Sequence, residues 1–135
     1  MGLWTTADAA ECACTELRRS AGEPTAAWRC LLQLLDDYSR AHRAGGTVAG
    51  EALFAVEPPP SGDGRVDAAL AALAEHLARR DGWTVPAWAL SEDRYAEPWW
   101  FPAGVVAWHA AAFVESPLAF RKRGVFLTEG ALERV

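Results

Sequence analysis

The stretch that decides the fold is Asp63–Trp83, "DGRVDAALAALAEHLARRDGW". Val66, Leu70, Leu73 and Leu77 recur at helical spacing, while Asp67, Glu75 and Arg79 lie off that face, so the segment reads as an amphipathic helix. Asp63 can cap the first turn and Gly82 can close the last. Arg79 and Arg80 sit beside the C-terminal carbonyls and Asp67 near the other end, each where the helix dipole favours its charge.

Working outward on the N-terminal side, "VEPPPSGDG" (56–64) is the clearest punctuation in the chain, because successive prolines hold an extended backbone and glycines end it. It predicts a crossover over 57–64, preceded by a helical hairpin and a short helix in 1–56. Thr5–Arg19 is expected as the first helix, with Thr6 or Asp8 as cap and Ala9, Ala13 and Leu17 as its apolar stripe. Pro24 suits the first turn of the next helix, since it has no intrahelical donor to lose there. In that helix, from Thr25 to about Arg43, Trp28, Leu31, Leu32, Leu35 and Tyr38 share a face. Gly45-Gly46 ends it, and Thr47 opens a short helix to Ala55.

On the C-terminal side of the central helix, leucine stripes give way to tryptophan and proline. One-turn helices are expected at Ala87–Leu90 and Asp93–Ala96, and an apolar helix over Gly104–Val114. Ser116-Pro117 starts a helix over Leu118–Arg123 that Gly124 ends. Val125–Leu127 is β-prone but short, so a lone extended segment is expected, and Thr128 caps a final turn carrying Leu132 and Val135. The sum is an all-α, single compact domain over 1–135, a bundle of about six or seven helices with at most one short extended segment.

Composition bounds the function. The chain has 135 residues, 51% hydrophobic and 23% charged, enough to bury a core without disulfides or metals. A net charge of −5 argues against nucleic acid as a partner, because phosphate affinity draws on a basic surface. The N-terminus lacks a basic region followed by an apolar run, and no stretch reaches the roughly 20 apolar residues of a membrane span. A cytoplasmic location follows as the expectation. Three cysteines (Cys12, Cys14, Cys30) form an odd set without a paired framework, which suits a reducing compartment.

Chemistry-bearing patterns are thin. Cys12-Ala13-Cys14 has the wrong spacing for structural zinc, and His42, His76 and His109 lie on separate elements without partners at helical offset, so no metal or cofactor is expected. No nucleophile elbow and no phosphate-binding loop is present; the only lysine is Lys122. A catalytic His76 or His109 working with a carboxylate remains a distant alternative. The tryptophans are the sharper signal, seven in 135 residues. Large aromatics can supply core where leucine stripes are missing, or they can line a ligand pocket between the C-terminal segments. In an extended segment Trp99 and Trp100 cannot both face inward, so one of them is exposed or at an interface. Arg121-Lys122-Arg123 is the only dense basic run, and it is read either as solvated surface or as a receiver for an acidic partner.

The ordered segments "DAALAALAEHLARRDGW", "VPAW", "EPWWFP" and "SPLAFRKRGVFLTEGALERV" resemble those of a group of small actinobacterial proteins of unknown function. The resemblance covers Asp63–Val135. It implies an interaction or regulatory role, since some of those proteins carry a helix-turn-helix segment in front and some belong to two-gene, toxin–antitoxin-like pairs. Met1–Pro60 shows no helix-turn-helix, and the Trp99-Trp100 pair departs from the single tryptophan of the group. No catalytic residue carries over. The leading expectation is therefore a non-enzymatic protein-interaction or regulatory protein, such as the antitoxin or regulatory member of a two-gene system, acting through a protein partner or self-association. The contact surface would comprise Trp99, Trp100, Phe101, Phe120, Arg121 and Arg123. The alternative is a small-molecule binder with a tryptophan-lined pocket.

Overall fold

A computed structural model describes residues 2–102 and 109–133. Among them the protein is all-α: α1 (Thr6–Arg19), α2 (Pro24–Ala52), α3 (Gly64–Asp81), α4 (His109–Glu115) and α5 (Leu118–Arg121), with 3-10 turns at Ala87–Leu90 and Glu129–Leu132. Five α-helices are fewer than expected. The main reason is that the short helix after Gly45-Gly46 runs on from α2 across a kink at Gly46 (φ 74°, ψ −163°), and the last expected turn is a 3-10 one. Asp93–Ala96 is not helical; instead the Ala96 N–H donates to Arg123 O at 2.7 Å. The first half of the expected Gly104–Val114 helix, and Val135, lie outside the described residues.

α3 forms where the periodicity placed it. Asp63 accepts the Arg65 N–H at 2.8 Å, and Gly82, left-handed at φ 83°, closes the other end. Its environment differs from that of a one-faced helix. Ala68, Ala69, Ala71, Ala72, Ala74 and Ala78 are buried along with the leucines, so neighbours surround α3 on nearly every side. Alanine makes this arrangement workable, because a small side chain lets another backbone approach closely without lowering helix propensity. Glu75, read as a solvent-face residue, is buried with them.

α1 lies against α2, and α3 packs against α2, α5 and the Ala87–Leu90 turn. At the start of α1 the Thr5 N–H donates to Asp8 Oδ2 at 2.9 Å, so the cap sits one residue earlier than expected. Cys12 on α1 and Cys30 on α2 are joined in a disulfide with their Cα atoms 5.9 Å apart, leaving Cys14 free. This corrects the reading of three unpaired thiols. The reading compared cysteines near in sequence, whereas packing of the hairpin brings together two that are 18 residues apart.

Contacts tie the two ends of the chain to the middle. Trp28 on α2 meets Trp100 edge-on at 6.0 Å, and the Trp88 indole N–H donates to Phe54 O at 3.0 Å. The Tyr38 hydroxyl donates to Asp81 Oδ2 at 2.6 Å and accepts the Trp83 indole N–H at 2.8 Å. Burial, the hydrogen bond to Asp81 and its negative charge push the Tyr38 phenol well above the usual tyrosine range, outweighing the opposing Trp83 donor. This tyrosine is therefore a neutral structural link between α2 and the end of α3. Val125 pairs with Trp100 in an isolated parallel bridge, the short extended segment expected there.

Candidate interaction face

The C-terminal segments separate the six residues expected to share one surface. Trp99 is 61% exposed, whereas Trp100 is buried; the bridge to Val125 holds this stretch extended, so adjacent side chains take opposite sides. Phe101 is partly buried, its ring stacked on His109 at 3.9 Å and on Phe126 at 5.3 Å. Phe120 is fully buried, with its ring edge-on to His76. Burial lowers the His76 pKa, helped by the nearby Arg80 charge and opposed by Asp81.

The basic run splits three ways. Arg121 is on the surface, where Nη2 donates to Val114 O at 2.8 Å and Ser116 O at 3.1 Å, fastening α5 to the end of α4. Lys122 reaches back to α3, placing Nζ 2.8 Å from Glu75 Oε1. Arg123 is 1% exposed, with Nη1 2.8 Å from the same oxygen and its guanidinium donating to Ala119 O and Ala89 O. Trp100, Phe120 and Arg123 therefore cannot touch a partner in this conformation. Phe120 and Arg123 are turned in against His76 and Glu75 of α3, and Trp100 against Trp28 of α2.

What remains outside is a different aromatic and aliphatic face. Trp99 lies 5.7 Å from Phe113 and 5.0 Å from Phe126, centroid to centroid. Phe113 and Val114 on α4 and Leu118 on α5 are exposed, Val114 by 73% and Leu118 by 72%. Sequence reasoning missed these three because an apolar residue on a short helix reads as core. A signal was available: α5 has only four residues, and Ala119 and Phe120 already occupy its buried side, which leaves Leu118 outward. Arg121 edges the face.

Gly124 is required at the hinge of this arrangement. Its φ is 77°, and a Cβ there would sit 2.9 Å from both Ala96 O and Trp99 Cδ1. Backbone and indole thus pass over the glycine in close contact, which sets the position of Trp99.

Among the described residues an open apolar groove runs between the end of α2 and residues 83–90, with Trp83 as the one tryptophan in its lining. Among the described residues no three His, Cys, Asp or Glu side chains cluster as metal ligands, and no helix is long and apolar enough to cross a membrane. No family model, curated protein or solved structure matches the chain.

Proposed function

We propose that this protein is a non-enzymatic interaction protein, the regulatory member of a two-protein system of the antitoxin kind, and that it binds its partner through Trp99, Phe113, Val114, Leu118 and Arg121. The observation that carries this reading is the exposure of Trp99 next to Phe113, together with the exposure of Val114 on α4 and Leu118 on α5, two helices that Arg121 joins. Exposed apolar residues that cluster, unlike scattered ones, mark binding surfaces, and tryptophan and arginine are the residue types on which binding energy concentrates. A hetero-complex is favoured over self-association. Arg121, the exposed Arg79 and the half-exposed Lys122 make the surroundings of α5 basic, and a two-fold contact through α5 would bring like charges together. The partner's matching surface is accordingly apolar at its centre and acidic at its edge.

The test is a pull-down from the host, followed by calorimetric titration with the purified partner it identifies. The parent is compared with a Trp99→Ala, Leu118→Asp double variant whose thermal melt matches the parent's. Removing a central tryptophan and placing a charge opposite an apolar surface should weaken binding by about thirtyfold or more. If every partner found binds parent and variant with equal affinity, the face is wrongly assigned.

A further inference from the structure

The groove at the opposite end of α2 has chemistry of its own. It measures about 690 Å³ and is walled by Val48, Phe54, Trp83, Val85 and Leu90. This is the size of a small-molecule site. Val48 and Leu90 are exposed on its lips, and Trp83 is held by its indole N–H to Tyr38, so its ring is fixed in place. Among the described lining residues Glu51 alone is ionisable. It is partly buried and makes no ion pair or side-chain hydrogen bond among the described residues. The fully or largely buried carboxylates Asp37, Glu75 and Asp81, by contrast, are paired with Arg40, with three cations and with Arg80 respectively.

We propose that this groove binds a small organic cation, an ammonium group on an aromatic or aliphatic body, with Glu51 as its counter-charge and Trp83 in the apolar bed beneath it. Each part of the ligand answers a feature of the groove. Apolar walls gain by covering hydrocarbon. A carboxylate flanked by low-dielectric walls attracts a cation more strongly than it would in open water, and repels an anion of the same shape. The indole ring adds attraction for positive charge at its face. A peptide or second protein lying in the groove would have no need of a lone unmatched carboxylate among the apolar contacts, and for that reason the small cation is preferred.

The experiment titrates the full chain with 2-phenylethylammonium, 2-phenylethanol and phenylacetate, three probes of similar shape and different charge, by calorimetry and saturation-transfer NMR at low ionic strength. The ammonium should bind about fivefold more tightly than the alcohol, the increment of a partly exposed ion pair, and phenylacetate more weakly than either. Glu51→Gln should remove the ammonium's advantage and leave the alcohol unchanged. Ala55→Trp, a change at an exposed lining position that fills the groove, should abolish all three signals while the melt is preserved. Equal affinity for ammonium and alcohol, an ammonium preference that survives Glu51→Gln, or no binding of any probe overturns the proposal. None of these outcomes touches the Trp99 face, so the two readings stand or fall separately.

Discussion

Glu75 shows how one side chain joins chemistry to fold. Its side chain is 2% exposed on α3, yet three cations converge on it: Arg79 one turn on, and Lys122 and Arg123 from the tail. Burial alone would raise its pKa; pairing with Lys122, Arg123 and Arg79 more than reverses that, bringing it from 4.5 down to about 2. A carboxyl group whose folded pKa is depressed adds stability above its unfolded pKa and loses it as the pH falls toward the folded value. The contribution is therefore fully present above about pH 4.5 and disappears on going to pH 2, an effect of about 3 kcal/mol. Urea titrations across this range should show Glu75→Gln less stable than the parent by about that amount at pH 7, because Arg123 is left buried without its counter-charge. The two curves should converge near pH 2; a constant gap would mean that Glu75 acts through shape alone. Gly124 offers a second residue-scale test. Gly124→Ala forces an L-residue to φ 77° and pushes on Trp99. It should cost about 1–2 kcal/mol in a denaturant melt and also weaken partner binding.

At the scale of elements, the N-terminal hairpin is held by small contacts and one covalent link. α1 buries mainly alanines, with Leu17 as its largest buried side chain, so its apolar surface against α2 is modest. The Cys12–Cys30 bond offsets this by shortening the unfolded chain's reach across 18 residues, worth about 3 kcal/mol by loop entropy. Cys30→Ser, or reduction of the parent, should lower the unfolding free energy by about 3 kcal/mol, seen as a lower melting temperature, and reductant should have no further effect on the variant. If reductant leaves the parent's melt unmoved, the hairpin rests on packing alone. α5 shows the reverse economy. Four residues make a poor helix in isolation, and it persists because Phe120 and Ala119 are buried on α3 and Arg121 ties it to the end of α4.

At the scale of the whole molecule, the Pro-rich stretch before α3 runs over the surface while buried residues connect across it. Arg94 fastens that crossover from the far side: its guanidinium donates to Pro58 O at 3.1 Å and stacks over Trp88 at 5.1 Å. A contiguous set of buried residues extends from Ala9 to Leu132 through both halves. The expected consequence is cooperative unfolding. Tryptophan emission, which draws mostly on the C-terminal half, and far-UV ellipticity, which draws on α1–α3, should give one common midpoint in denaturant. Two separate midpoints would show that the halves fold independently.

What the sequence by itself determined is local: where helices start and stop, since caps, glycines, prolines and a 3.6-residue period act over a few residues. α1, α3 and the first part of α2 were legible for that reason, as were a break at Gly45-Gly46, the turn at Ala87–Leu90 and the lone extended segment at Val125; that the chain resumes helix across Gly46 as one kinked α2 was not. That one of Trp99 and Trp100 must face outward was legible too, because alternation is a local rule. Tertiary structure alone decided which one. It also decided that Phe120 and Arg123 are interior, that Glu75 is the centre of a buried ion cluster, that Cys30 finds Cys12, and that a groove lies beside Glu51. Each of these depends on which distant surface arrives at a residue, and no local periodicity encodes that. An arginine near a helix end reads the same whether solvent or α3 lies beyond it; only packing sets the cost of leaving it unpaired, and so the identity of its partner.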